Sequence, residues 1–225
     1  MSNYGVIFPI WREAAGPTWR AYTRHNFVQG LGDGSLPRPA FLHYLMQDYI
    51  FLIHFSRAWA LAVTKAETVA EMRICAATVH ALINQEIQLH VETCAEAGLS
   101  EATLIEAEEA PENLAYTRFV LDRGHAGDLL DLLATLAPCV MGYGEIGSRL
   151  VVQASGTPYR DWIESYASDD YQQVCEDVGA LIDLVVARRM GADPLQNPRW
   201  ADLCASFTKA TALEVDFWQM ALEIA

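Results

Sequence analysis

Apolar positions recur at steps of three and four along most of the chain, with polar residues between them, which is the period of a helix buried on one face. Leu129, Leu132, Leu133 and Leu136 keep that spacing through the middle of the sequence. Tyr44, Asp48, Phe51, Leu52 and Phe55 make a second stripe, and Phe207, Ala210, Thr211, Glu214, Phe217, Trp218 and Ala221 a third. Turn-forming residues divide the pattern into elements. A helix over residues 6 to about 24 is interrupted at Gly16-Pro17, and GLGDGSLP, residues 30–37, reads as a turn-rich loop. Helices follow over 37 to about 65 and over 68–97, the latter ended by Gly98; then come a short helix capped by Ser100 and an acidic break at Glu108, Glu109, Pro111 and Glu112. The spacing next predicts a helix over 114–121 ending at Gly124, the central helix running to about Ser155, and a short one over 158–167. One more, capped by Asp169 or Asp170, ends near Gly191, and Pro198 opens the last. No run of alternating β-branched residues bounded by turns interrupts this series. The expected fold is all-α, one compact bundle of about eight or more helices forming a single domain over residues 1–225.

Composition narrows what such a bundle can do. The 225 residues suffice for a full core without a second domain. Fifteen Lys and Arg stand against 29 Asp and Glu, a formal net charge of -14, which repels nucleic-acid phosphates and anionic lipid headgroups. Neither nucleic acid nor membrane is therefore an expected partner. Five scattered cysteines, with no CxxC pair and no zinc-ligand spacing, fit a reducing cytoplasm, and the N-terminal residues lack the basic start and apolar core of a signal peptide. The most apolar run, residues 41–63, contains His43, Gln47, Asp48, His54 and Arg57, too much polarity for a span facing lipid, so it is expected to be a core helix.

Against that background three groups stand out. Pro138 lies inside the central helix and should kink it, delivering Cys139, with Tyr143 one turn on and Gly142, Gly144 and Gly147 leaving the backbone bare for a close approach. Asp48 and Glu214 each sit within an apolar stripe, where a carboxylate must find a cation, accept several hydrogen bonds or keep its proton. One thiol, two buried acids and many aromatic rings suggest a pocket for a flat molecule. Two acids beside Cys139 should raise the thiol's pKa, so no resting thiolate is expected. Metal chemistry is the rival: Glu86 and His90 lie four residues apart, but no Glu-x-x-His motif accompanies them, and the pair reads as exposed or facing another subunit. No metal or other cofactor is expected.

The segments QDYIFLIHF from Gln47, LAPCVMGYGEIG from Leu136, WIESYAS from Trp162 and ALEVDFW from Ala212, with FVQGLGDGSLP from Phe27, resemble the signature segments of the TenA family, the thiaminase II or aminopyrimidine aminohydrolase proteins. The resemblance implies a heme-oxygenase-like helical bundle, usually a homotetramer, acting in thiamin salvage. It implies hydrolysis of 4-amino-5-aminomethyl-2-methylpyrimidine to the hydroxymethyl analogue and ammonia, with thiamin as a further substrate. It places the nucleophile on Cys139, the essential acids on Asp48 and Glu214, and the pocket tyrosines on Tyr116, Tyr143 and Tyr166, with Phe217 the aromatic one turn beyond Glu214. Phe51 departs from the pattern, standing where well-known members carry a tyrosine. Thiol addition to a ring carbon breaks aromaticity and lets the ring expel the amine; Glu214 would shuttle the proton while Asp48 orients the pyrimidine and the thiol. The alternatives are a non-enzymatic pyrimidine-binding or regulatory protein and a heme or di-iron protein of the same fold.

Overall fold

The computed structural model describes residues 3–154 and 156–223. Twelve α-helices and no strands are found among them: α1 (Ile7–Ala15), α2 (Pro17–Thr23), α3 (Asn26–Asp33), α4 (Arg38–Lys65), α5 (Val69–Ala81), α6 (Ile87–Glu96), α7 (Glu101–Ile105), α8 (Pro111–Ala126), α9 (Leu129–Leu150), α10 (Arg160–Ala167), α11 (Asp169–Met190) and α12 (Trp200–Leu222). A π turn, Leu82–Glu86, joins α5 to α6, and a 3-10 turn, Pro194–Gln196, precedes α12.

Helix α9 is the axis of the bundle. Its sequence is apolar nearly all round, the composition of a helix with no solvent face, and it packs against α2, α4, α8, α10, α11 and α12. It is the one described helix long and apolar enough to cross a membrane, yet 89% of that stretch is buried inside the protein. Asp128 starts it through a capping box, accepting from the backbone N–H groups of Leu130 and Asp131 while the Asp131 carboxylate accepts from the Asp128 N–H. The helix continues through Pro138 and ends at Leu150; the expected end at Ser155 lies outside the described residues.

Several boundaries differ from those expected, each for a local reason. The break at Gly16-Pro17 is present, but half of the expected loop is helical: α3 extends to Asp33 because Phe27, Val28 and Leu31 are fully buried, and tertiary burial outweighs the low helix propensity of its glycines. Helix α8 begins at Pro111, inside the expected acidic break, since proline is well placed in a first turn and Glu112 complements the helix dipole there. It also runs past Gly124 to Ala126. Ser168, not Asp169 or Asp170, caps α11; its hydroxyl accepts from the Tyr171 N–H, leaving both aspartates in the first turn. The long helix over 68–97 is not uniform, because the π turn inserts an extra residue in its middle.

Candidate active site

Helices α4, α5, α6, α10 and α11 and the π turn converge on Cys139 of α9, which is 9% exposed and reaches the wall of a cavity of about 580 Å³. Leu52 and Phe55 from α4, Leu82 and Glu86 from the π turn, and Tyr166 from α10 share that wall. Volumes of this order hold small molecules. Asp48, Glu214, Tyr116, Tyr143, Phe51 and Phe217 do not line this cavity; all are buried and form the layer deeper in the core.

Glu214 is 1% exposed on the buried face of α12. Its Oε1 accepts the Tyr116 hydroxyl at 2.8 Å, and its carboxyl is pushed up to about 8, chiefly because burial penalises the charged form, with the Asp48 charge adding to it and the Tyr116 hydrogen bond opposing it. Cys139 is likewise held well above the ordinary thiol range, first by burial and then by the negative charges of Glu214, Glu86 and Asp48. The resting thiol is thus protonated, as the sequence suggested, with burial the larger cause.

Asp48, 3% exposed, meets a different environment. Its Oδ2 accepts the Tyr44 hydroxyl at 3.0 Å and lies 2.6 Å from His90 Nε2. Trp162 Nε1 donates to the Tyr44 oxygen at 3.2 Å. The expectation that Glu86 and His90 are exposed or face another subunit is wrong. His90 is 1% exposed, and Glu86 accepts the Tyr166 hydroxyl at 2.8 Å, its carboxyl pushed up to about 7 mainly by burial. A Glu and a His four residues apart share a helix face on the surface or in the core alike, so spacing could not decide between them; the π turn and the proximity of Asp48 do.

Aromatic rings fill the space between the acids. Phe51 lies 5.0 Å from Tyr116 and 5.6 Å from Phe217, and Tyr143 lies 4.9 Å from Tyr166 and 5.4 Å from Trp218, all between ring centroids. The glycines serve another purpose than the one expected. A Cβ at Gly142 would overlap the Tyr22 ring, and one at Gly147 would come within 2.6 Å of the Tyr166 backbone carbon, so these glycines seat α2 and α10 against α9 rather than bare a wall to a ligand. Seating α10 so closely is what brings Tyr166 to the cavity. Among the described residues no three His, Cys, Asp or Glu side chains are gathered as a metal ion would need.

The model of the TENA/THI-4/PQQC family matches residues 12–224, nearly the whole chain. The chain belongs to this family. An aminopyrimidine aminohydrolase of Halalkalibacterium halodurans is 36% identical over 212 residues, covering 93% of this chain and 92% of that protein, and places this member among the hydrolases. A crystal structure from Silicibacter sp. TM1040, described as a TenA family transcription regulator, shares 59% identity over 97% of each chain with a TM-score of 0.96. A Shewanella denitrificans domain of unknown function with a heme oxygenase-like fold, 12% identical, covers 99% of this chain and 94% of its own with a TM-score of 0.73, and carries the expected fold alone.

Proposed function

We propose that the protein is an aminopyrimidine aminohydrolase that replaces the exocyclic amine of 4-amino-5-aminomethyl-2-methylpyrimidine by hydroxyl through covalent catalysis at Cys139, and that thiamin is a further substrate. The observation that carries this reading is a buried thiol at the cavity wall with, within hydrogen-bond reach behind it, Glu214, a carboxylic acid that keeps its proton near neutral pH. The wall at Cys139 is flanked by aromatic rings suited to a flat heterocycle.

In this mechanism the thiol adds to a ring carbon while Glu214 passes its proton to a ring nitrogen and takes the thiol's in its place, since burial makes a free thiolate costly. The ring loses aromaticity, its electrons expel the amine from the methylene, and Glu214 supplies the proton that lets ammonia leave. Water then adds to the methylene and returns a proton to the Glu214 carboxylate, and the sulfur departs with the proton given back by the ring nitrogen as aromaticity is restored. Tyr166 meets the pyrimidine at the cavity wall, and the pyrimidine reaches inward to the layer where Asp48 orients it and Tyr116, Tyr143, Phe51 and Phe217 bind it. The net charge of -14 argues against a regulator that binds nucleic acid directly. Assembly as a homotetramer belongs to the same proposal, supported by the exposed Met72, Ile83 and Leu89 along α5, the π turn and α6. Light scattering should give about four times the 25.0 kDa of one chain, and a monomer mass would refute it.

Incubation with the aminomethylpyrimidine and, separately, with thiamin tests the function. Ammonia should appear in step with the hydroxymethylpyrimidine in the first reaction; a protein that binds the pyrimidine but releases no ammonia is a binding module instead.

A further inference from the structure

Both ring nitrogens of His90 face acceptors. Nδ1 lies 2.8 Å from the backbone carbonyl oxygen of Glu86, an atom that can only accept, so Nδ1 carries a proton. Nε2 lies 2.6 Å from Asp48 Oδ2, the length of a charge-assisted bond. The Tyr44 hydroxyl, which already accepts from Trp162, has its own proton for that same Oδ2. Two donors converging on one carboxyl oxygen is the pattern of a carboxylate, and Nε2 is then the second donor of the imidazole. We infer that His90 is a fixed, buried imidazolium, a positioning residue whose two N–H groups are held by the Glu86 carbonyl and Asp48 and whose positive charge keeps the Asp48 carboxylate aimed into the site. This rests on the reading of Asp48 as the acid that orients the pyrimidine.

Asp48 and Tyr44 approach His90 from α4, and Glu86 from the π turn, itself tied to Tyr166 of α10. From α7, Leu104 is turned inward while Glu101 stays exposed. Burial by itself would discharge the ring; the hydrogen bond and charge of Asp48, with Glu86 behind them, outweigh it and raise its pKa. The π turn is the device that makes this possible. Its Ile87 N–H bonds to the Leu82 carbonyl, one residue further back than in an α-helix, and the helix then turns Glu86 and His90 inward together. The result is a contrast between two buried carboxyl groups: Asp48 has a cation hydrogen-bonded to it, and Glu214 has none and is pushed up to about 8. A site that must both grip an aminopyrimidine and deliver a proton needs both kinds.

Two measurements test this on the full-length protein. In protein labelled with nitrogen-15 histidine, both His90 ring nitrogens should remain protonated at about pH 7 and beyond the ordinary histidine value of about 6.5. Asp48→Asn should release that proton. Finding one unprotonated ring nitrogen at about pH 7 in the wild type would overturn the inference, and this result does not depend on any activity. The second measurement is kcat/KM for ammonia release by His90→Gln, which can still donate a hydrogen bond to Asp48 but bears no charge. Its activity relative to wild type should rise about tenfold or more between about pH 6 and pH 8, as added base restores the carboxylate that the cation no longer holds. A loss that is the same at every pH would mean that His90 merely packs, and would overturn the inference. His90→Asn, smaller and unable to reach Asp48, serves if the glutamine variant does not fold. A chain that releases no ammonia at all would remove the proposed function and leave the His90 result standing.

Discussion

Helix α9 passes through two electrostatic environments. At its start Asp128 and Asp131 meet arginines: Arg199 reaches both at 3.0 Å, Arg189 reaches Asp128 at 2.8 Å and Arg123 lies 3.6 Å from Asp131. Burial pulls the Asp128 carboxyl upward, but the hydrogen bonds from Arg199 and Arg189 overcome it and hold the group far below the carboxylate range. Eleven residues further, about 16 Å along the axis, Cys139 is surrounded by acids, and the Glu214 carboxyl is pushed up to about 8. The residue types are nearly the same, and the proton states are opposite. Partner and burial decide which, and only the second arrangement can donate a proton at neutral pH. The first supports the fold, and the second is the costly arrangement expected of a reacting centre.

The contrast can be broken at either end. Cys139→Ser replaces the thiol by a hydroxyl of far higher pKa and should abolish ammonia release while pyrimidine binding, followed by calorimetry, persists. Cys204→Ser, on the half-buried side of α12, should leave turnover unchanged. Glu214→Gln keeps shape but cannot move a proton, and should lower kcat by at least about 10²-fold. At the other end Arg199→Ala should cost about 1 kcal/mol, because this arginine is substantially exposed and its pairs are screened by solvent. Thermal denaturation should show that as roughly 2–4 °C in Tm with kcat/KM unaltered. Its pH dependence has a definite sign. A carboxyl whose folded pKa is depressed contributes stability above its unfolded value of about 3.9 and loses it as pH falls further, so wild type and Arg199→Ala should converge in stability toward acid. The smallest effect expected is that of Phe51→Tyr, which restores one hydroxyl and should change the preference between aminopyrimidine and thiamin by about tenfold or less, the scale of one hydrogen bond.

The acids of the site were legible in the sequence because they violate a pattern: Asp48 and Glu214 interrupt apolar stripes, and both are buried as that implies. The order of the helices was legible for the same reason, since most of them repeat apolar residues at steps of three and four. What escaped depends on contacts distant in sequence. His90 and Glu86 look like a surface pair until Asp48, 42 residues away from His90, is seen beside them. The glycines of α9 suggest an opening until Tyr22 and α10 are found pressed into them. The π turn, Leu82–Glu86, is too short a segment for apolar periodicity to register. The helix α3 is masked by its own glycines, and only the burial of Phe27 and Leu31 explains it.

The division of labour at the second environment is tested most directly by the pH dependence of kcat/KM for ammonia release, with wild type and Glu214→Gln compared across about pH 6 to 10. In the proposed mechanism Glu214 acts while protonated, and its folded pKa is raised to about 8, so wild-type activity should hold below that pH and fall above it. In Glu214→Gln the residual activity should lack that basic limb. The same limb in both proteins would contradict the account, because the proton for the departing amine would then come from another group.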